Sequence, residues 1–170
     1  EFLSVLKDAF ASSERQGAFK RVIIVIKTKT EDRYADLKDL FSLFNIPPPS
    51  LFFTPIEKPL MTFAYYGNDG PHFGFAVTTN DRERVLAAMS RWEETLPTDF
   101  TPLFLGASIL PKPGVFEEYT YRNTTYRFLP APQNQNRGIA YLVFPAGKYL
   151  IVTTSRESME RAIERLFDAL

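Results

Sequence analysis

His72 is the only imidazole in a chain of 170 residues that contains no cysteine. Thiol nucleophiles, thiolate metal sites and disulfides are therefore excluded. Acid–base chemistry near neutral pH would have to come from His72 or from carboxylates with shifted pKa values. His72 follows Pro71 at the mouth of an expected hairpin, and no G-x-S-x-G turn occurs, so a Ser-His-Asp relay lacks the strand-to-helix elbow that presents its nucleophile. Neither an H-x-x-x-H pair nor an aspartate-rich loop spaces ligands for a metal ion. His72 is expected to be structural or to lie on the surface.

Two carboxylate pairs, Glu93-Glu94 and Glu117-Glu118, are the remaining candidates for acid–base work. Glycoside chemistry needs two such groups held about 5 to 10 Å apart across a cleft, whereas adjacent carboxylates ordinarily form a solvated face. Asn123-Thr124-Thr125 fits the N-glycosylation triplet, which has meaning only in a eukaryotic secretory setting. The strand-to-helix junctions TTND and TTSRE carry no glycine with which to cradle a phosphate, so their hydroxyls read as helix caps, with Asn80 and Glu83 forming a capping box. Anion binding there would be assisted by Arg82 or Arg156. The GNDG tetrad, Gly67 to Gly70, matches the spacing of a KH clamp but joins strands and lacks a basic residue. No catalytic residue, metal ligand or cofactor is assigned.

Lysine plus arginine (20) balances aspartate plus glutamate (20), which leaves no overall field to gather a nucleic acid or an anionic membrane. A protein partner or self-association is expected instead, with any membrane contact made through a segment outside this chain. The segment PAPQNQNRG, Pro130 to Gly138, reads as a mobile surface connection; Gln133, Asn134, Gln135, Asn136 and Arg137 are its candidates for a partner contact. Pro47, Pro48 and Pro49 read as a rigid connection.

The elements that must position these residues follow from apolar spacing. An opening helix is expected from Phe2, Val5, Leu6, Ala9 and Phe10. Arg21 to Lys29 is a continuous β-branched run and predicts a central, doubly covered strand, with room for a parallel pairing. A helix over 31–44 follows, capped by Thr30. Leu60 to Tyr66 and His72 to Thr79 predict a hairpin, as do Phe116 to Tyr121 with Thr124 to Leu129 and Ile139 to Phe144 with Tyr149 to Thr153. Helices are expected over 80–96 and 155–169, and a short strand within Leu103 to Leu110. Sixteen Phe and eight Tyr suit an aromatic core between the sheet and its helices.

The segments VTTNDRERVLAAMSRW, Val77 to Trp92, and VTTSRESMERAIERL, Val152 to Leu166, contain positions that correspond at an offset of 74, the distance from Arg82 to Arg156 and from Arg91 to Arg165. Caps and apolar spacing are what any helix leaving a strand requires, but packing does not require matched arginines. Arg82, Arg91, Arg156 and Arg165 are thus the binding candidates, and the segments predict a duplicated unit. The expected fold is α+β: two related halves (β-α-β-β-α, then β-hairpins plus α) forming a largely antiparallel sheet with helices packed on one face. Residues 1–19 would be an N-terminal helix or linker from a possible membrane anchor, with halves at 20–97 and 98–170 packed as one globular unit.

FKRVI (Phe19 to Ile23), YADLKDLF (Tyr34 to Phe41), RWEETLPTDF (Arg91 to Phe100) and TTSRESM (Thr153 to Met159) together resemble an uncharacterised family of membrane-anchored proteins of small-genome bacteria. The resemblance implies a transmembrane helix ahead of a soluble, extracytoplasmic module in the cell envelope, and it implies no site residues. A start within an amphipathic pattern, without an initiator Met, agrees with an excised fragment. The leading expectation is a non-enzymatic interaction or scaffolding module. The alternatives are a carboxylate-dependent hydrolase or sugar-processing enzyme, and small-ligand or anion binding between the two halves.

Overall fold

The computed structural model describes residues 2–11, 14–108, 110–146 and 148–169. In chain order the first half comprises α1 (Phe2–Ala11), β1 (Phe19–Val22), β2 (Val25–Lys27), β3 (Asp32–Tyr34), α2 (Leu37–Phe44), β4 (Ile56–Gly67), β5 (Gly70–Thr79) and α3 (Arg82–Trp92). After the short turns α4 (Leu96–Asp99) and a 3-10 segment (Thr101–Phe104) come β6 (Glu117–Tyr121), β7 (Thr124–Ala131), β8 (Asn134–Phe144), β9 (Tyr149–Ser155) and α5 (Arg156–Asp168). The fold is α+β: seven strands form one sheet in the order β1-β4-β5-β9-β8-β7-β6, and β2 and β3 form a separate hairpin.

All pairings in the large sheet are antiparallel. The β4–β5 hairpin closes on Asn68 and Asp69 with Gly70 at φ +104°, a conformation that suits glycine. At the β6–β7 turn both central residues are left-handed, Arg122 at φ 47° and Asn123 at φ 58°, which matches the right-handed twist of the flanking strands.

Period-two alternation sorts the sheet residues between two cores. Phe73, Phe75 and Val77 of β5, Ile139, Tyr141 and Val143 of β8, and Leu150 and Val152 of β9 face the layer made by α1, α2, α3, α4 and the 3-10 turn. That layer is the expected aromatic core on one face; in it Trp92 packs edge-on against Phe41, Phe52 and Phe100 at 5.9, 5.2 and 5.1 Å between ring centroids. Ala76, Ala140, Leu142, Phe144 and Ile151 face the other way, where one further helix, α5, supplies Met159, Ala162 and Ile163.

Several local expectations are corrected. Arg21 to Lys29 is not a central strand: β1 pairs only with β4, antiparallel, so it is a sheet edge. The chain then leaves the sheet for the β2–β3 hairpin, leaving Ile23 58% and Val25 44% exposed. Thr28 turns this hairpin rather than Thr30 capping a helix: its hydroxyl donates to the Glu31 carbonyl (2.6 Å) and accepts from the Glu31 amide (3.1 Å). The helix starts at Leu37, behind a capping box in which Asp36 and Asp39 each accept the other's backbone N–H. Asp81, not Asn80, caps α3, and Ser155 caps α5, while the Thr153 and Thr154 hydroxyls donate to the carbonyls of Ser155 and Phe73. Leu103 to Leu110 holds no strand among the described residues; the prolines at 97 and 102 favour the short helical turns instead.

The repeated segments do not build one repeated unit. A half-turn about an axis normal to the sheet, between β5 and β9, carries the β4–β5 hairpin onto the β9–β8 hairpin. It leaves α3 and α5 on opposite faces, so the two hairpin-plus-helix units are of opposite hand and no rotation superposes them. The V-T-T stretches themselves lie alike, with Val77 and Val152 both facing the core under α3, so the two units part company at their helices. Shared caps and apolar spacing account for the likeness of the two segments.

Candidate functional site

The carboxylates are taken up as anchors between helix and sheet. Three sheet tyrosines donate to three glutamates of α5: Tyr65 to Glu157 (2.7 Å), Tyr126 to Glu160 (2.9 Å) and Tyr121 to Glu164. Burial, and then the Glu157 bond, push the Tyr65 hydroxyl up to about 12. Tyr126 is raised by the same two causes acting through burial and Glu160. On the other face Glu93 accepts the Tyr141 hydroxyl (2.6 Å) and takes Arg127 through two bonds of 2.8 Å. Asp99 accepts Trp92 Nε1–H (2.7 Å) and the Thr95 hydroxyl (2.8 Å), which ties the RWEETLPTDF segment into a closed turn.

His72 and the expected mobile connection meet at one end of the sheet. Pro130 to Gly138 is a correction: it forms the facing ends of β7 and β8, which pair from Arg127 with Tyr141 to Ala131 with Asn134. Its polar residues converge on the β4–β5 turn. Asn134 Nδ2 and Asn136 Nδ2 donate to Asp69 carboxylate oxygens (3.1 and 3.3 Å), and Arg137 donates to the Asp69 carbonyl (3.2 Å). Asn136 Oδ1 accepts the amide of Glu157 in the first turn of α5 (2.9 Å). His72 is 1% exposed, and its Nε2–H donates to Asp69 Oδ1 at 2.6 Å. Burial pushes the ring below its ordinary pKa against the bond and charge of Asp69. Burial also works to raise Asp69, but the His72 and Asn134 bonds outweigh it and hold that carboxyl low. These groups clamp two turns and a helix start together, while Gln133 and Gln135 are exposed.

Arg82 donates to the Val143 carbonyl (3.4 Å), and Arg91 is exposed on α3 with no hydrogen bond or ion pair among the described residues. Arg156 pairs with Glu160 (3.0 Å) and lies over the Tyr119 ring. Of the four matched arginines, only Arg165 borders a cavity of useful character.

That cavity is an apolar groove of about 490 Å³ beside α5. It exists because α5, about 20 Å long and about 10–12 Å wide, cannot cover a sheet of seven strands spaced about 4.8 Å apart. On the β6–β7 side Tyr119 stacks on Tyr126 and meets the Phe128 ring edge-on, so aromatic rings cover the sheet there. On the β1–β4–β5 side Phe19 packs on Phe63 and Tyr65, at 5.4 and 5.0 Å between ring centroids, and between this ring and α5 the described residues leave the sheet open. Phe63, Ala76 and Ile151 form the floor, Phe19, Met61 and Leu166 the walls, and Arg21 and Arg165 the charged rim. Gly74 keeps the floor flat: a Cβ there would lie 2.5 Å from the Phe63 ring. The groove thus straddles the first half (β1, β4, β5) and the second (β9, α5). The sequence signal for it was Phe19, Met61 and Phe63 at every second position on one face of two paired strands, together with the unexplained Arg165.

A second cavity, of about 640 Å³, lies beneath the β2–β3 hairpin. Its Arg33 is already bonded to both oxygens of Asp39 (2.5 and 2.8 Å), and its Thr62 hydroxyl donates to the Val22 carbonyl. Among the described residues no helix is long and apolar enough to cross a membrane, and no three His, Asp or Glu gather as metal ligands would. Comparison with protein-family models, with curated proteins and with solved structures gives no match.

Proposed function

We propose that the chain is a non-enzymatic binding module whose contact element is the apolar groove between β1, β4, β5, β9 and α5. One observation carries this reading: a cavity of about 490 Å³, apolar in its floor and walls, in a molecule whose Tyr, Glu and Asp clusters are bonded to one another. Small-ligand sites are typically clefts of about 300–1,000 Å³ with apolar linings and a few placed polar groups. Met61, 46% exposed at the groove wall, adds apolar surface at its mouth.

The reading is tested with Nile red, a neutral apolar dye. Its fluorescence rises on titration with the protein and fails to rise with Met61→Glu, which places a charge in the groove at a position exposed enough to leave folding intact. Equal dye binding by the variant, or none by either protein, would contradict the groove as the contact element. The envelope location and membrane anchor implied by the resemblance belong to the same proposal and are checked by fractionating cells that express the complete protein. Recovery of that protein in the soluble fraction would remove them without touching the groove.

A further inference from the structure

Resting on the groove as the binding site, we infer that its occupant is a free single-chain alkyl carboxylate, with the tail along the groove and the head at Arg21 and Arg165. The tail follows from volume and lining: an open apolar space of about 490 Å³, lined by Phe63, Ala76, Ile151 and Leu166, suits an alkyl chain. The head follows from charge. Arg33, Arg84, Arg127, Arg137, Arg156 and Arg161 each have a carboxylate oxygen within 4.0 Å. Arg21 and Arg165 have no carboxylate partner among the described residues, yet both line the one groove that is otherwise apolar. A guanidinium at the edge of apolar surface is a ready partner for an oxyanion, which it bonds through two parallel N–H groups.

The setting of Arg165 strengthens the assignment. Its guanidinium carbon lies 4.5 Å from the centroid of the Phe19 ring, a cation–π contact that holds the side chain at the groove. Its N–H groups have no carboxylate partner among the described residues, which leaves them to a ligand. Phe19 and Arg21 stand two residues apart on the same face of β1, while Arg165 reaches from the helix across the groove, so the rim draws on two elements. A peptide added to the free edge of β1 would run along that strand and leave Arg165 unused. A second copy docked symmetrically on the groove would bring four arginines together, which like charge disfavours.

Calorimetric titrations with decanoate, decanol and decyltrimethylammonium, each below its aggregation concentration, test the inference on the intact chain and on Arg21→Gln, Arg165→Gln and Met61→Glu, with thermal melts to confirm folding. Decanoate is expected to bind at least about tenfold more tightly than decanol, the cationic amphiphile to bind least, and each arginine variant to lose about tenfold for decanoate alone. Met61→Glu is expected to lose all three. Equal affinity for decanoate and decanol, with neutral arginine variants, would overturn the anionic head and leave the groove standing. No binding of any alkyl probe would overturn both. Concentration-dependent sedimentation abolished by Met61→Glu would assign the groove to a second copy instead.

Discussion

At the scale of single residues, His72 has a measurable role that is not catalysis. Its ring is buried and its pKa is depressed by that burial, so as pH falls below the ordinary histidine value of about 6.5 the unfolded chain binds a proton that the folded chain refuses. The unfolded state binds more protons in that window, and folded stability must fall with it. Asp69 acts in the same direction at lower pH, because its folded-state pKa also lies below the unfolded value. Urea denaturation at pH 7 and pH 5 is therefore expected to show a stability loss for the native chain that is smaller for His72→Gln, whose amide can still donate to Asp69. Identical pH dependence in the two proteins would show that the ring titrates as it would in water. The hairpin setting left His72 either structural or on the surface, and the fold buries it. Its partner was not legible, because Asn134 and Asn136 reach Asp69 from more than sixty positions away.

At the scale of elements, the three hairpins and the helices α3 and α5 were readable because turn residues and apolar period are local properties. The misplaced features share one cause: a local pattern outweighed by its tertiary neighbours. The β-branched run from Arg21 suggested burial on both faces, yet a run placed at a sheet edge stays half in solvent whatever its composition. Thr30 looked like a cap because it precedes acidic residues, but Thr28 had already closed a hairpin turn there. Helix α2 therefore offers a clean contrast. Asp36→Ala removes half of a capping box and is expected to cost about 1 kcal/mol, whereas Thr30→Ala, at an exposed turn, is expected to stay within about 0.5 kcal/mol. Chemical denaturation of the two variants checks the pair, and the reverse ranking would restore the longer helix. The capping signal at Asp36 is present in the sequence as D-x-x-D, but Thr30 ahead of Glu31 and Asp32 offers a competing one upstream.

At the scale of the whole molecule, the groove depends on how the helices are shared out. Among the described residues five helical segments, α1 to α4 and the 3-10 turn, cover one face of the sheet and α5 alone covers the other, so part of that second face has no helix to bury it. A repeated pair of helices on one face would have left a different surface, and the likeness between the segments at Val77 and Val152 pointed toward that arrangement. The sequence carries each cap and stripe, but which face a helix turns to depends on the length and geometry of the junction: α5 starts directly at the end of β9, while α3 starts after Asn80 and Asp81. The matched arginines consequently have separate fates, and only Arg165 reaches the groove. The most direct measurement is an amide ¹H–¹⁵N correlation spectrum of the labelled chain titrated with decanoate. The predicted result is a saturable set of shifts at Phe19, Met61, Ala76, Ile151, Ala162 and Arg165, with the amides around Asp69, His72 and Asn136 unmoved. An unchanged spectrum, or shifts gathered at the Asp69 end of the sheet or around Pro47 to Pro49, would contradict the groove as the binding element.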